Sequence, residues 1–110
     1  MKVPNADRAI IAAEKLTGYL LNVSHKRGGS KARLLSSLGY RDDSPQTLEA
    51  DLRTQHLTLE VTGTSKNAFG MVYEIEGPIT TPSGRSSRFC SVWQVDTGTD
   101  VPRFITMYPR

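Results

Sequence analysis

The sequence predicts an α+β fold in which N-terminal helices pack on a four-stranded antiparallel β-meander. Three observations carry this expectation. Through the first half, apolar residues recur at helical spacing between cap and stop signals. Through the second half they alternate with polar residues at strand period. The connections between the alternating runs are short, as antiparallel neighbours require. Helices first and strands second is an α+β layer pattern.

Asn5 is placed to cap a short first turn. Leu16, Tyr19 and Leu20 sit at i, i+3 and i+4 and predict a helix from about Ala12 to Leu21. Ser30 is the expected N-cap of a second helix with Leu34, Leu35 and Leu38 on one face, and Gly39 is its natural stop. Ser44-Pro45 repeats the start signal, cap then proline, for a third helix striped by Leu48 and Leu52. Leu57, Leu59 and Val61 alternate and predict the first strand, followed by a turn at Ser65-Lys66-Asn67. Met71, Tyr73 and Ile75 give the second strand, and Thr81-Pro82-Ser83-Gly84 the turn after it. Phe89, Ser91, Trp93 and Val95 line one face of the third. After the Thr97-Gly98 turn, Phe104, Thr106 and Tyr108 share a face of the last strand, with Ile105 and Met107 opposite.

The chain has 110 residues, 37% apolar and 23% charged, an ordinary balance for one globular domain spanning residues 1–110. A single cysteine, Cys90, excludes an internal disulfide framework and reads as a small buried strand residue. Two histidines and one cysteine are too few for a zinc site, so no metal or other cofactor is expected. No apolar run approaches a membrane span and the N-terminus lacks a signal-peptide core, which predicts a soluble protein acting in the cytoplasm. Charge is uneven. Residues 1–40 hold seven Lys/Arg against two Asp/Glu, residues 41–60 two against five, and residues 61–110 five against four. The basic N-terminal third points to a polyanion or an acidic partner.

That charge is densest in Ser24–Arg33, where His25 stands with Lys26, Arg27, Lys31 and Arg33 just before the second helix. Imidazole, fixed cations and a helix start suit the binding and cleavage of a phosphodiester. The plain alternative is a solvated basic loop. Lys31 falls on the Leu34/Leu35/Leu38 stripe, so its ammonium either snorkels to water or enters a site between helix and sheet. Arg33 points away, as a peripheral RNA contact. On the last strand, Thr106 and Tyr108 share a face and Arg103 lies opposite unless the start of the strand bends; Tyr108 reads as a core ring with its hydroxyl at the rim first and as a site hydroxyl second. Trp93 is a core ring first and a base-stacking surface second. His56, between the third helix and the first strand, reads as incidental. Gly28-Gly29 matches neither a P-loop nor a dinucleotide fingerprint.

A resemblance enters here. The motifs Val3-Pro4-Asn5, Lys15-Leu16, Tyr19-Leu20-Leu21-Asn22, His25 with Arg27 through Arg33, Leu38-Gly39-Tyr40, Glu76-Gly77-Pro78, Gly84-Arg85, Val92-Trp93, and Pro102-Arg103 with Thr106-Met107-Tyr108-Pro109 resemble a bacterial domain family. Its members occur alone and at the C-termini of polymorphic toxins and phage head proteins. That family looks like part of the barnase–EndoU–colicin–RelE superfamily of metal-independent ribonucleases. The resemblance implies helices on a four-stranded antiparallel sheet and an active site drawn from His25, Lys31, Arg103, Thr106 and Tyr108. It also implies an RNA substrate, with tRNA among the candidates. Lys26, Arg27, Arg33 and Trp93 are the expected RNA contacts. The implied reaction is attack of the 2′-hydroxyl on its own phosphate, with His25 as base or acid and Lys31 stabilising the phosphate charge. A toxin of this kind needs a small acidic antitoxin or immunity protein. The rival reading is a non-catalytic RNA- or protein-binding module of a phage or secretion assembly.

Overall fold

A computed structural model describes residues 1–110. The chain opens with a 3-10 turn at Ala6–Arg8. Asn5 precedes it in the left-handed region, at φ 54°. Its side chain makes no cap bond and instead donates to the Asp100 carbonyl at 2.8 Å, tying the N-terminus to the loop before the last strand. Helix α1 (Ala13–Lys15) is a single turn that runs on as π-helix over Leu16–Leu20. The Leu21 N–H reaches the Leu16 carbonyl at 2.7 Å, five residues back. Helix α2 (Gly29–Ser37) begins one residue before the expected Ser30 cap. It ends as expected at Gly39, whose φ is +98°. There the Gly39 N–H reaches Ser36 and the Tyr40 N–H reaches Leu35, each at 3.0 Å, closing a Schellman motif. Helix α3 (Pro45–Asp51) starts with proline at its first turn after Ser44 and continues as π-helix over Leu52–His56.

The expected first strand is displaced. The Leu57 N–H still reaches the Leu52 carbonyl at 2.9 Å and the Leu59 N–H the His56 carbonyl at 2.8 Å, so this alternation belongs to an unwinding helix end. Strand β1 is Gly63–Asn67, which takes in the expected Ser65–Asn67 turn. The turn falls at Ala68-Phe69, where Asn67 Oδ1 accepts the N–H groups of Phe69 and Gly70 at 2.9 and 3.0 Å. Strands β2 (Gly70–Thr80), β3 (Ser86–Asp96) and β4 (Arg103–Pro109) follow. All pairs are antiparallel and the spatial order is β1-β2-β3-β4, the predicted meander. One sheet face carries Tyr73, Ile75, Ile79, Phe89, Trp93, Phe104 and Met107. These pack against Leu16, Leu20, Leu35, Leu48 and Leu52 in a core of 19 buried residues.

A β-bulge interrupts the β3–β4 ladder. Val92 pairs with Thr106 and Trp93 with Phe104, so Ile105 has no partner. Phe104 therefore joins Met107 on the core face, and Thr106 and Tyr108 are left on the other. Arg103, expected opposite them, pairs with Gln94 and lies on their face after all. Strict alternation fails here because the bulge consumes one residue.

His56, read from the sequence as incidental, is fully buried at the centre of a polar knot. Its Nε2–H donates to the Gly77 carbonyl at 3.1 Å. Its Nδ1 accepts the Ser91 hydroxyl at 2.7 Å, and Ser91 Oγ accepts the Trp93 indole N–H at 2.9 Å. Burial holds the imidazole below its ordinary value of 6.5, outweighing the bond to Gly77. The folded state thus refuses a proton that the unfolded chain takes up. The stability this group contributes is complete above about pH 6.5 and is lost as pH falls through the lower folded value. We expect the melting temperature to drop between pH 7.5 and 5.5, above the range in which carboxylates titrate. His56→Gln should flatten that dependence, and a wild-type melting temperature unchanged over the interval would refute the assignment.

Candidate functional site

β4 is an edge strand, and its free side receives the chain around Ile10, which pairs with it in parallel. The Ile10 N–H donates to Pro102 at 2.9 Å and the Phe104 N–H to Ile10 at 2.8 Å. This docking brings the π-helical turn and the start of α2 to the rim of β4. There three side chains close a triangle. Lys31 Nζ donates to Tyr19 Oη at 2.8 Å and to Thr106 Oγ1 at 3.2 Å, and the two hydroxyls are 3.1 Å apart. All three residues are half-buried. Thr106 presents the face opposite the main core, so Tyr19 and Lys31 reach past the strand edge to meet it. The Lys31 ammonium is thus held by two hydroxyls between helix and sheet edge.

Tyr19 is the residue the sequence reading missed. Its spacing with Leu16 and Leu20 marks it as core, and the ring does pack against the core from the π-helical turn while its hydroxyl reaches the rim. Burial by itself would raise the phenol. Hydrogen bonds from Lys31 and Thr106 and the charges of Lys31 and Lys15 outweigh burial, and the hydroxyl lies below its ordinary value of 10.0. The signal was the Tyr-Leu-Leu-Asn stretch of the family pattern, which carried no role for the tyrosine. Gly28 is explained by the same ring, since a Cβ there would stand 2.6 Å from Tyr19 Cδ1. At Gly29 a Cβ would meet the Val23 carbonyl oxygen at 2.7 Å. The glycine pair therefore serves close approach, not phosphate cradling.

His25 packs edge-on to Tyr19, ring centroids 5.0 Å apart. Its Nδ1 accepts the backbone N–H groups of Arg27 and Gly28 at 3.0 and 2.9 Å. The neutral ring therefore carries its proton on Nε2, the nitrogen left for a ligand. Lys26, Arg27 and Arg33 are exposed and, like Lys31, form no ion pair, so the rim is an uncompensated cationic surface.

The other residues singled out in the sequence take different places. The Tyr108 ring lies 6.0 Å from Lys31 Nζ and 5.3 Å from the Arg110 guanidinium, but its hydroxyl does not join the triangle. Contact with the Cys90 thiol, then burial, raises that hydroxyl above its ordinary value. Arg103 is committed to Asp96 through two bonds of 2.8 and 3.2 Å and does not reach the triangle. Trp93 is fully buried and offers no face to a base, so of its two readings the core ring is the one observed. A surface groove lined by Leu21, Val23, Ser36, Tyr40 and Asp42 contains none of His25, Lys31 or Thr106.

Comparisons with known proteins bear on this arrangement. A family model described as "Domain of unknown function (DUF6883)" matches residues 2–110. No curated protein matches the chain. Among solved structures, a chain of a contact-dependent growth inhibition toxin–immunity protein complex from Klebsiella pneumoniae 342 is similar to it. The TM-score is 0.71 at 22% identity, over 92% of this chain and 99% of that one. The likeness is one of fold.

Proposed function

We propose that this chain, which belongs to the DUF6883 family, is a toxin-like endoribonuclease that needs no metal and is neutralised by a small acidic antitoxin or immunity protein. The observation that carries this reading is the convergence of Lys31, Thr106 and His25 on one rim, among cations that no carboxylate pairs. An ammonium fixed by two hydroxyl acceptors is placed to stabilise charge building on a phosphate. The 2′-hydroxyl of the substrate attacks the adjacent phosphorus, the P–O5′ bond breaks, and a 2′,3′-cyclic phosphate and a 5′-hydroxyl result. His25 meets the phosphate through Nε2, and Lys26, Arg27 and Arg33 hold the flanking backbone. The fold similarity to a chain of a toxin–immunity complex supports the toxin reading and its partner. Membership of the barnase–EndoU–colicin–RelE superfamily and residence in toxin or phage proteins are part of the same proposal. A partner covering this rim presents carboxylates, and its association is fast and salt-sensitive.

The test incubates folded protein with total RNA and with tRNA in excess chelator. Cleavage leaving 2′,3′-cyclic ends is the expected result. Binding without cleavage favours the rival reading, a non-catalytic RNA-binding module built on the same unpaired cations. Neither binding nor cleavage sinks both.

A further inference from the structure

Resting on the ribonuclease reading, we propose that Tyr19 is the proton acceptor of the reaction, held in place by Gly28 and activated by Lys31. The assignment follows from what each polar group at the rim can do. The Nδ1 of His25 is filled by two backbone N–H groups, which leaves the proton on Nε2. The nitrogen that faces a ligand is therefore a donor with no lone pair to offer. Lys31 donates to both of its neighbours. Thr106 is an aliphatic hydroxyl, too weak an acid to supply an alkoxide near neutral pH. Arg103 is tied to Asp96. Tyr19 is the group that remains. Its oxygen lies 2.8 Å from an ammonium, a donor that favours the phenolate over the phenol, and 3.1 Å from the Thr106 hydroxyl, which is able to donate to a phenolate as well.

The step balances without a further reactant. The Tyr19 phenolate takes the 2′-hydroxyl proton as the O2′–P bond forms. The Lys31 ammonium lies against a non-bridging phosphate oxygen. The P–O5′ bond breaks, and O5′ takes a proton from solvent water. Tyr19 then returns its proton to the hydroxide so formed. Thr106 keeps the phenolic oxygen in register with Lys31 and is a positioning residue. Gly28 sets the place of the ring, since any side chain there would push it off the rim.

The experiment measures single-turnover cleavage of a short RNA in excess chelator across pH, for wild type, Tyr19→Phe, Lys31→Met and His25→Ala. Tyr19→Phe keeps the ring over Gly28 and against His25 and removes only the hydroxyl. Its cleavage rate should fall by roughly 100-fold or more, the usual reach of a general base. The rise of rate with pH seen in wild type should vanish with it. In whatever activity Lys31→Met retains, that rise should move to higher pH. His25→Ala should weaken RNA binding and leave the rise in place. Phenolate absorbance gives a second readout: one tyrosine of the wild type titrates ahead of the rest, and Tyr19→Phe lacks it. A folded Tyr19→Phe that cleaves within about tenfold of wild type with its pH dependence intact overturns this assignment alone. A folded wild type that leaves every RNA whole overturns the ribonuclease reading and this assignment together.

Discussion

On the proposed ribonuclease reading, Lys31→Ala is expected to lower RNA cleavage by roughly 100-fold or more and to move the melting temperature by only a few degrees. The asymmetry follows from the triangle. Lys31 is half-buried and supplies charge to the rim, but the core does not rest on it. When it is removed, the hydroxyls of Tyr19 and Thr106 still bond each other at 3.1 Å, so neither is orphaned. What is lost is stem packing, which is small, and the ammonium, which has no substitute within reach of Thr106. Cleavage in chelator and thermal melts on the same preparation decide the matter. Activity within tenfold of wild type would remove Lys31 from the site.

Leu35→Ala does the reverse. Leu35 is 1% exposed on α2, and its carbonyl also accepts the Tyr40 N–H that closes the helix. Truncation opens a cavity between α2 and the sheet at about 2–5 kcal/mol. Set against a typical total of about 5–15 kcal/mol, that is enough to thin the folded population. Urea denaturation should show the midpoint falling with little change in slope. Cleavage per folded molecule, measured cold, should stay near wild type. A loss below 1 kcal/mol would mean that the helix–sheet layer closes over the gap.

The elements that residue pattern announces are those with one buried face or a local stop. Gly39 and Ser44-Pro45 mark helix ends by backbone chemistry, and β2 and β3 alternate because one side is core. β1 escapes because its side chains are almost all exposed, so Gly63–Asn67 has no apolar beat, while Leu57, Leu59 and Val61 supply a false one. Lys31 and Thr106 were legible as residues in need of a polar partner, because a lysine on an apolar stripe and a polar residue on a half-buried strand both ask for one. Tyr19 was not, because a tyrosine at helical spacing reads as a core ring, and its ring does pack on the core while the hydroxyl finds Lys31 and Thr106. The partners of Arg103 and Trp93 were not legible. The guanidinium finds Asp96 along the sheet, and the indole finds Ser91, and neither pairing leaves a trace in local sequence.

The bulge at Ile105 has a bearing on how relatives should be compared. Removing that residue restores an unbroken ladder without turning any side chain over: Phe104 still meets Trp93 and Thr106 still meets Val92. The position is thus a place where the chain can gain or lose one residue while both faces of the last strand keep their composition. What changes is the local bend, and with it the aim of Thr106 toward the helices. Family members can therefore differ in length at this point and still fold alike. A one-residue gap before the threonine would then mark a shift in site geometry, not a loss of the strand.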